Sequence, residues 1–153
     1  HPGVQVPAVA LAALEGRGAA AQTPVCISLP TAPLVLPHSI KAGFEKFIAE
    51  GPDVLHSVAR MEHPVERTLC LSPTGVLTWR FGDPRVIGTG TEIFPPCYRI
   101  TGGFSFVTYG YLKDTGGYNS ENMAGHVLSG AEAVDIDDTE GLELARAYLA
   151  QRG

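Results

Sequence analysis

Two carboxylates, Asp135 and Asp137, stand two residues apart near the C-terminal end of the chain. Side chains two apart on an extended segment point to the same side, while Ile136 between them points to the other side, into the core. Mg²⁺ prefers oxygen ligands and is usually held by one or two carboxylates together with substrate phosphates. The spacing therefore indicates a divalent metal site at Asp135 and Asp137.

Asp137 also fits a second role, that of a helix cap. Together with Glu140, three residues later, it matches a capping box that opens a helix. That helix is predicted from the apolar positions Leu142, Ala145, Tyr148 and Leu149. Local spacing alone favours the cap over the metal site, but a cap leaves Asp135 unexplained.

Length and charge limit the class of protein. At 153 residues the chain suits a single domain, which buries about two thirds of the surface of the unfolded chain. The net charge is −5, with no basic run, which argues against nucleic acid as a partner. The longest apolar stretch, residues 4–14, is too short to cross a bilayer and follows no charged segment. We expect neither a membrane segment nor a signal peptide.

The cysteines and histidines carry little functional information. Cys26, Cys70 and Cys97 are odd in number and widely spaced, which predicts no disulfide framework and favours reduced thiols in the cytoplasm. Cys26 lies in an apolar strand and is expected in the core. The histidines show no metal-ligand spacing, and we expect surface or core roles for His38, His56, His63 and His126.

The first half of the chain alternates between strand and helix. Residues 25–29 form a continuous apolar run, as in strands buried on both faces of a parallel sheet. A helix follows, predicted from Ile40, Phe44, Phe47 and Ile48 and ended by Gly51 and Pro52. With a next strand at residues 54–58, this order predicts a right-handed crossover between parallel neighbours. We therefore expect an α/β fold, a three-layer α/β/α sandwich with a mainly parallel sheet.

The middle of the chain has a different period. Residues 68–71 and 76–79 flank a turn at residues 72–75, which predicts an antiparallel hairpin projecting from the sheet. Residues 82–90 have little periodicity and are expected to form a loop. The aromatic and β-branched residues 103–109 predict another strand, and residues 114–122 after it are polar and expected to be mobile.

Four segments of the chain, in order, resemble motifs of one enzyme family. VCISLPTAPL at residues 25–34 is similar to a strand ending in Pro-Thr-Ser-Pro-Leu, and MEHP at residues 61–64 to a Glu-His-Pro or Phe-Pro turn. PPCYRITGG at residues 95–103 resembles a Leu-Pro-x-x-Tyr/Phe-x-x-Asn-Gly segment, and VDID at residues 134–137 a C-terminal metal-binding motif. Over nearly its whole length the chain resembles the acylneuraminate cytidylyltransferases, which have a nucleotide-diphospho-sugar transferase-like fold.

The resemblance implies a reaction and a set of site residues. A hydroxyl of a nonulosonic acid attacks the α-phosphorus of CTP, releasing pyrophosphate and forming a CMP-activated sugar acid. Asp135 and Asp137 are implied as catalytic residues that hold Mg²⁺. Four residues are implied in substrate binding: Thr31, Arg99, Thr101 and Gly102.

Arg99 has two interpretations. Its guanidinium group suits bidentate binding of the carboxylate that a nonulosonic acid presents. Alternatively, it is a surface arginine that pairs with Glu92.

The chain also departs from the family pattern. The Gly, Arg, Ser and Lys loop that cradles the CTP triphosphate has no counterpart, because Gly-Arg-Gly at residues 16–18 follows a helical run rather than a strand. The chain therefore resembles the C-terminal two thirds of a family member. Leu29 stands where relatives often have glutamine, Val35 and Thr91 where they often have arginine, and Thr101 where they have asparagine. Either the acyl sugar differs or activity has been lost.

Three interpretations remain open. The chain is a cytidylyltransferase that works only with an upstream segment, or a non-catalytic relative that serves as an oligomerising or sugar-binding module. In the third, it is an unrelated α/β domain in which Asp135 and Asp137 bind a structural cation. In the first two, the resemblance implies a homodimer formed through residues 62–111, where four aromatic residues gather: Trp79, Phe81, Phe94 and Tyr98.

Overall fold

The computed structural model describes residues 8–81, 88 and 90–152, except for the side chains of Thr91 and Arg152. The helices are α1 (Ala8–Gly16), α2 (Pro37–Glu50), α3 (Tyr109–Thr115) and α4 (Thr139–Arg152). The strands are β1 (Pro24–Ile27), β2 (Val54–Arg60), β3 (Leu69–Leu71), β4 (Leu77–Trp79), β5 (Tyr98–Thr108) and β6 (Met123–Leu128). Most of the loop expected at residues 82–90 lies outside the described residues.

The chain divides into two compact units, residues 1–59 with 100–153 and residues 60–99. In the first unit the structure is mixed α/β, with the sheet order β1-β5-β2-β6. Strand β1 runs antiparallel to β5, and β2 runs parallel to β6.

The prediction that β1 and β2 are neighbours is wrong, because β5 lies between them. Strand β5 has seven consecutive buried residues, which suits a central strand, whereas β1 has only four residues with alternating exposure. Cys26 is exposed on this edge strand, so the prediction that it lies in the core is also wrong.

Alternate residues of the central strands pack into different hydrophobic clusters. Phe104 and Phe106 of β5 share one cluster with Phe47 of α2. Val107, the next residue of β5, packs instead with Val54 of β2 and with Leu112 of α3. This alternation follows from the two-residue period of a strand. The core of this unit is therefore built on β2 and β5.

Helix α2 contains the predicted apolar positions and ends where the sequence predicts. Pro37 occupies the first turn, where its missing N–H costs nothing. Gly51 follows the helix with φ +63°, in the left-handed region that glycine adopts readily, and its N–H donates to the Phe47 carbonyl. The predicted α2 is confirmed.

Gly43 lets α2 approach the central strand closely. A Cβ atom at this position would overlap the edge of the Phe104 ring, which is only 1% exposed. We expect Gly43→Ala to lower the free energy of unfolding by about 1–2 kcal/mol, because overpacking of about 1–3 kcal/mol outweighs the gain in helix propensity of up to about 1 kcal/mol. Urea denaturation measures the change.

Gly16→Ala in α1 is the matched control, because a Cβ atom there would meet nothing within 4 Å. This control is expected to keep or slightly raise stability. Equal stability of Gly43→Ala and the unchanged protein would contradict the packing described for α2.

The second unit contains the predicted hairpin. Strands β3 and β4 pair antiparallel, with Leu69 opposite Trp79. In the turn, the Gly75 N–H donates to the Ser72 carbonyl, and Gly75 has φ +83°. The antiparallel hairpin is confirmed, with each strand one residue shorter than expected.

Candidate functional site

A pocket of about 480 Å³ lies within the first unit. It is lined by parts of β1, β2 and β5, by the turn after α3 and by the segment before α4. The lining residues are Ile27, Leu29, His56, Ile100, Thr101, Gly102, Ser105, Thr115, Gly116, Gly117, Tyr118, Asn119 and Asp135. Of the six predicted site residues, Thr101, Gly102 and Asp135 line this pocket.

Asp135 reaches the pocket from a segment that belongs to no strand. The Ile136 N–H donates to the Thr31 carbonyl at 2.8 Å, which holds this segment against the loop after β1. Asp135 Oδ1 is buried and has no hydrogen-bond partner among the described residues. A buried acceptor without a partner costs about 1–3 kcal/mol, and native proteins keep few of them without a reason. A ligand or cation in the pocket would satisfy this oxygen.

Asp137 occupies a different environment from Asp135. It is exposed and is not among the pocket residues. Its predicted role as helix cap is wrong, because Asp138 caps α4 instead: Asp138 Oδ1 accepts the Gly141 N–H at 2.8 Å. The backbone enters the helix one residue later than the capping-box spacing implies, at Thr139.

The cap makes a simple prediction about stability. Asp138→Ala is expected to lower the free energy of unfolding by about 1 kcal/mol, because it removes the acceptor for an N–H of the first helical turn. Asp137→Ala, one residue earlier and equally exposed, is expected to change stability by less than about 0.5 kcal/mol. Thermal unfolding followed by circular dichroism compares the two variants. A larger loss for Asp137→Ala would contradict the assignment of the cap.

The described residues include no group of three or more histidine, cysteine, aspartate or glutamate side chains able to hold a metal ion. A closed structural site, such as a tetrahedral zinc site, therefore has no candidate in this part of the chain. Asp135 alone still fits Mg²⁺, which commonly uses one or two carboxylates and takes its other ligands from substrate phosphates and water. The buried, unpartnered Oδ1 is the observation that supports this fit.

Thr31 and Gly102 are brought together beside the pocket. The Leu29 N–H donates to the Gly102 carbonyl at 2.9 Å, which joins the end of β1 to β5. A Cβ atom at Gly102 would lie 3.3 Å from Thr31 Oγ1, so the two residues are in close contact. The loop after β1 therefore borders the same site as β5.

Two other predicted residues, Thr101 and Arg99, differ in burial and in whether they line the pocket. Thr101 is buried, and its hydroxyl already hydrogen-bonds to Ser57, at 2.7 Å from Oγ and 3.2 Å from the carbonyl. Arg99 is exposed, belongs to the unit of residues 60–99 and is not among the pocket residues.

His56 lines the pocket, although the sequence analysis predicts only a surface or core role for it. It is only 4% exposed, and its Nδ1 lies 2.8 Å from Ser105 Oγ on β5. Its Nε2 is buried without a hydrogen-bond partner among the described residues. Burial lowers the pKa of His56 below its usual value, so the ring is neutral at pH 7. Only the pairing of β2 with β5, which local patterns do not reveal, brings His56 and Ser105 together.

The charge of the pocket is low. Its described lining contains one carboxylate, Asp135, and neither lysine nor arginine. Burial raises the pKa of Tyr118, which keeps this phenol neutral at pH 7. The pocket thus combines aliphatic side chains, those of Ile27, Leu29 and Ile100, with hydroxyl, amide and imidazole groups, one phenol ring and one carboxylate.

The comparisons with known proteins assign no family to the chain. No family model matches it, and no curated protein sequence does either. Within the described residues, no helix is both long enough and apolar enough to cross a membrane. The class that fold and site define is a mixed α/β protein with a pocket that contains one carboxylate among polar and aliphatic side chains.

Proposed function

We propose that this chain is the sugar-binding and metal-binding part of a cytidylyltransferase that transfers CMP from CTP to a nonulosonic acid. One observation carries the proposal. Three segments that resemble the family's motifs, residues 25–34, 95–103 and 134–137, lie far apart in the sequence, yet each contributes residues to the same pocket. If the three similarities arose by chance in an unrelated chain, we would not expect the three segments to meet at one pocket.

The finer architecture, a three-layer α/β/α sandwich with a mainly parallel sheet, belongs to the same proposal. The alternate packing of Phe106 and Val107 supports it, because the two side chains pack with residues of different helices. The outer edge of β1 is unpaired within the described residues. Further parallel strands would add there and complete the sheet.

The pocket residues have different roles in the proposed reaction. Asp135 would hold Mg²⁺ together with the nucleotide phosphates, and bound Mg²⁺ would neutralise charge on the reacting phosphate. Gly102, where a side chain would crowd Leu29 and Thr31, keeps the backbone of β5 close to the loop after β1. The hydroxyls and amides around them would orient the sugar for attack on the α-phosphorus.

The second candidate is a binding module without catalysis, and one local observation favours it. The Gly18 N–H donates to the Glu15 carbonyl, and Gly18 has φ +77°. Residues 16–18 therefore form the C-terminal turn of α1, as predicted, and not a phosphate-binding loop after a strand. The described residues thus offer no cradle for the CTP triphosphate.

We therefore expect the isolated chain to bind its ligands without turning them over. Preorganised donors around the phosphates normally supply much of the rate of such reactions. Calorimetry with CTP and Mg²⁺, and with N-acetylneuraminic acid, is expected to show binding, while a pyrophosphate-release assay shows none above background. Release at about 1 s⁻¹ or faster, in the usual range for enzymes, would contradict the expected lack of turnover. The absence of binding by both ligands would overturn the proposed function itself.

The compartment and the assembly are part of this proposal. Cys26, Cys70 and Cys97 are free thiols, which supports a reducing, cytoplasmic location. The proposed assembly is a homodimer, with no nucleic acid and no membrane as partner.

A further inference from the structure

We infer that His56 recognises the ligand of the pocket by donating a hydrogen bond from Nε2 to an uncharged oxygen, a hydroxyl or an acyl carbonyl of a sugar. The inference deepens the proposed function and rests on it only in taking the ligand to be a sugar. It assigns the uncharged part of the sugar to this pocket and leaves the carboxylate of a nonulosonic acid outside it.

The hydrogen bonding of His56 differs from that of an ordinary core histidine. A buried core histidine normally has a partner for each ring nitrogen. Here Nδ1 is held by Ser105 Oγ at 2.8 Å, while Nε2 is buried and has no partner in the described part of the chain. Leaving such a group unpaired is energetically unfavourable, and a hydrogen bond to a ligand would remove this cost. His56 is one of the residues that line that pocket.

The hydrogen bond to Ser105 decides which nitrogen carries the proton. Ser105 is 5% exposed, and in the described structure its hydroxyl has no hydrogen-bond partner other than His56 Nδ1. The Ser105 hydroxyl therefore donates its proton to His56 Nδ1, because it has no other acceptor in the described structure. Because the neutral ring carries a single proton, that proton then lies on Nε2. His56 thus presents a donor and selects an acceptor on the ligand.

The other pocket residues decide the charge of that acceptor. The described lining has no lysine or arginine to balance an anion, and Asp135 carries a negative charge in the same pocket. A carboxylate or phosphate placed against His56 would meet this repulsion at reduced solvation. An uncharged hydroxyl or acyl carbonyl avoids it. A ligand phosphate would instead belong near Asp135 with a bound cation.

Tyr118 supplies an apolar surface next to His56. Its ring centroid lies 6.0 Å from that of His56, with the planes inclined at 53°. Aromatic rings provide a flat apolar body together with a polar tip, which suits the mixed surface of a sugar. Tyr118 follows Gly116, which has φ +70°, and Gly117 in a turn that also lines the pocket.

The test uses the whole chain and N-acetylmannosamine, a neutral acylated sugar, as the probe. Long-range ¹H–¹⁵N NMR of the histidine rings reports the protonation of each nitrogen and any change at Nε2. On titration, we expect the Nε2 signal of His56 to shift while the ring stays neutral. His56→Phe, which keeps an aromatic ring but has no donor, is expected to weaken binding at least tenfold, and His56→Gln to restore part of the affinity.

His126→Phe is the matched control. His126 lies on β6 and packs against Phe104, with centroids 5.6 Å apart, and burial lowers its pKa as it does for His56. It is not among the pocket residues, so this variant is expected to bind the sugar as the unchanged chain does.

The inference and the proposed function fail in different ways. If N-acetylmannosamine leaves the His56 signal unmoved, or if His56→Phe binds the sugar as tightly as the unchanged chain, the inference is overturned. A ring that becomes cationic on titration with N-acetylneuraminic acid would also overturn it, because the carboxylate would then be the group at His56. Binding of CTP with Mg²⁺ is measured separately and bears on the proposed function alone.

Discussion

Asp135→Asn is expected to weaken Mg²⁺-dependent binding of CTP at least tenfold, whereas Asp137→Asn leaves it unchanged. The sequence predicts equal roles for the two carboxylates, but only Asp135 lines the pocket and has a buried oxygen without a partner. Asparagine has the same shape but lacks the charge that attracts a hard cation. Titration calorimetry of CTP with and without Mg²⁺ measures the difference.

The same pair of variants separates function from stability. Asn at position 135 removes no hydrogen bond from Oδ1, so we expect little change in the free energy of unfolding. In an enzyme completed by a CTP-binding segment, Asp135→Asn is expected to lower turnover about a hundredfold, equivalent to about 2.7 kcal/mol of transition-state stabilisation. If CTP binding by Asp135→Asn depends on Mg²⁺ as it does in the unchanged chain, Asp135 does not hold the metal.

Trp79→Asp is expected to convert a homodimer into monomers. The unit of residues 60–99 exposes many large apolar side chains for its size, and aromatic residues clustered on a surface often mark an interface. Among the described residues of this unit, the exposed large apolar residues are Leu69, Leu71, Val76, Leu77, Phe81, Ile93 and Tyr98. A buried carboxylate without a partner in such an interface costs several kcal/mol. Light scattering coupled to size exclusion gives the mass of the assembly.

Two further variants separate loss of the dimer interface from loss of folding in the unit of residues 60–99. Phe81→Asp introduces the same charge at a ring that is already 69% exposed, so it tests the interface without removing packing from the unit. Val9→Asp, at a side chain that is 76% exposed on α1, is the control and is expected to leave the dimer intact. A monomer at micromolar concentration before any substitution would refute the proposed assembly.

Local signals predict local structure well in this chain. Helix α2 has a proline in its first turn and a left-handed glycine at its end, and both signals act over a few residues. The hairpin turn likewise depends on Ser72 and Gly75, whose hydrogen bond closes it. Such elements are stable in their predicted places because neighbours in sequence supply the determining contacts.

Long-range pairing is where prediction from the sequence fails. The apolar run around Cys26 is typical of a central strand, but the strand is an edge because β5 takes the central place. The sequence predicts neither helix α3 nor strand β6: α3 ends inside the segment expected to be polar and mobile, and β6 begins directly after that segment. Thr108 caps α3 by accepting the Tyr111 N–H, and β6 pairs with β2, a partner distant in sequence. Neither interaction has a signature in the periodicity of the chain.

The candidate site also contains both residues that local motifs identify and residues that depend on long-range pairing. The motifs identify Gly102 and Asp135, but they place both Asp135 and Asp137 at the metal, because a two-residue spacing implies a strand that does not form. The cap falls on Asp138 rather than Asp137, a difference of one residue that depends on how the backbone enters α4. His56 acquires its importance only from Ser105 and the pocket, which are assembled by the pairing of strands.

The most direct test of the central claim, that the three motif segments form one site for CTP and a divalent cation, is a paramagnetic NMR measurement. Mn²⁺ replaces Mg²⁺ and is added with CTP to the ¹⁵N-labelled chain, so that amide signals near the cation broaden. We expect broadening of amide signals that is centred on Asp135 and extends to Thr31 and Gly102. Broadening centred on other acidic residues, with the signals of these three unaffected, would contradict it.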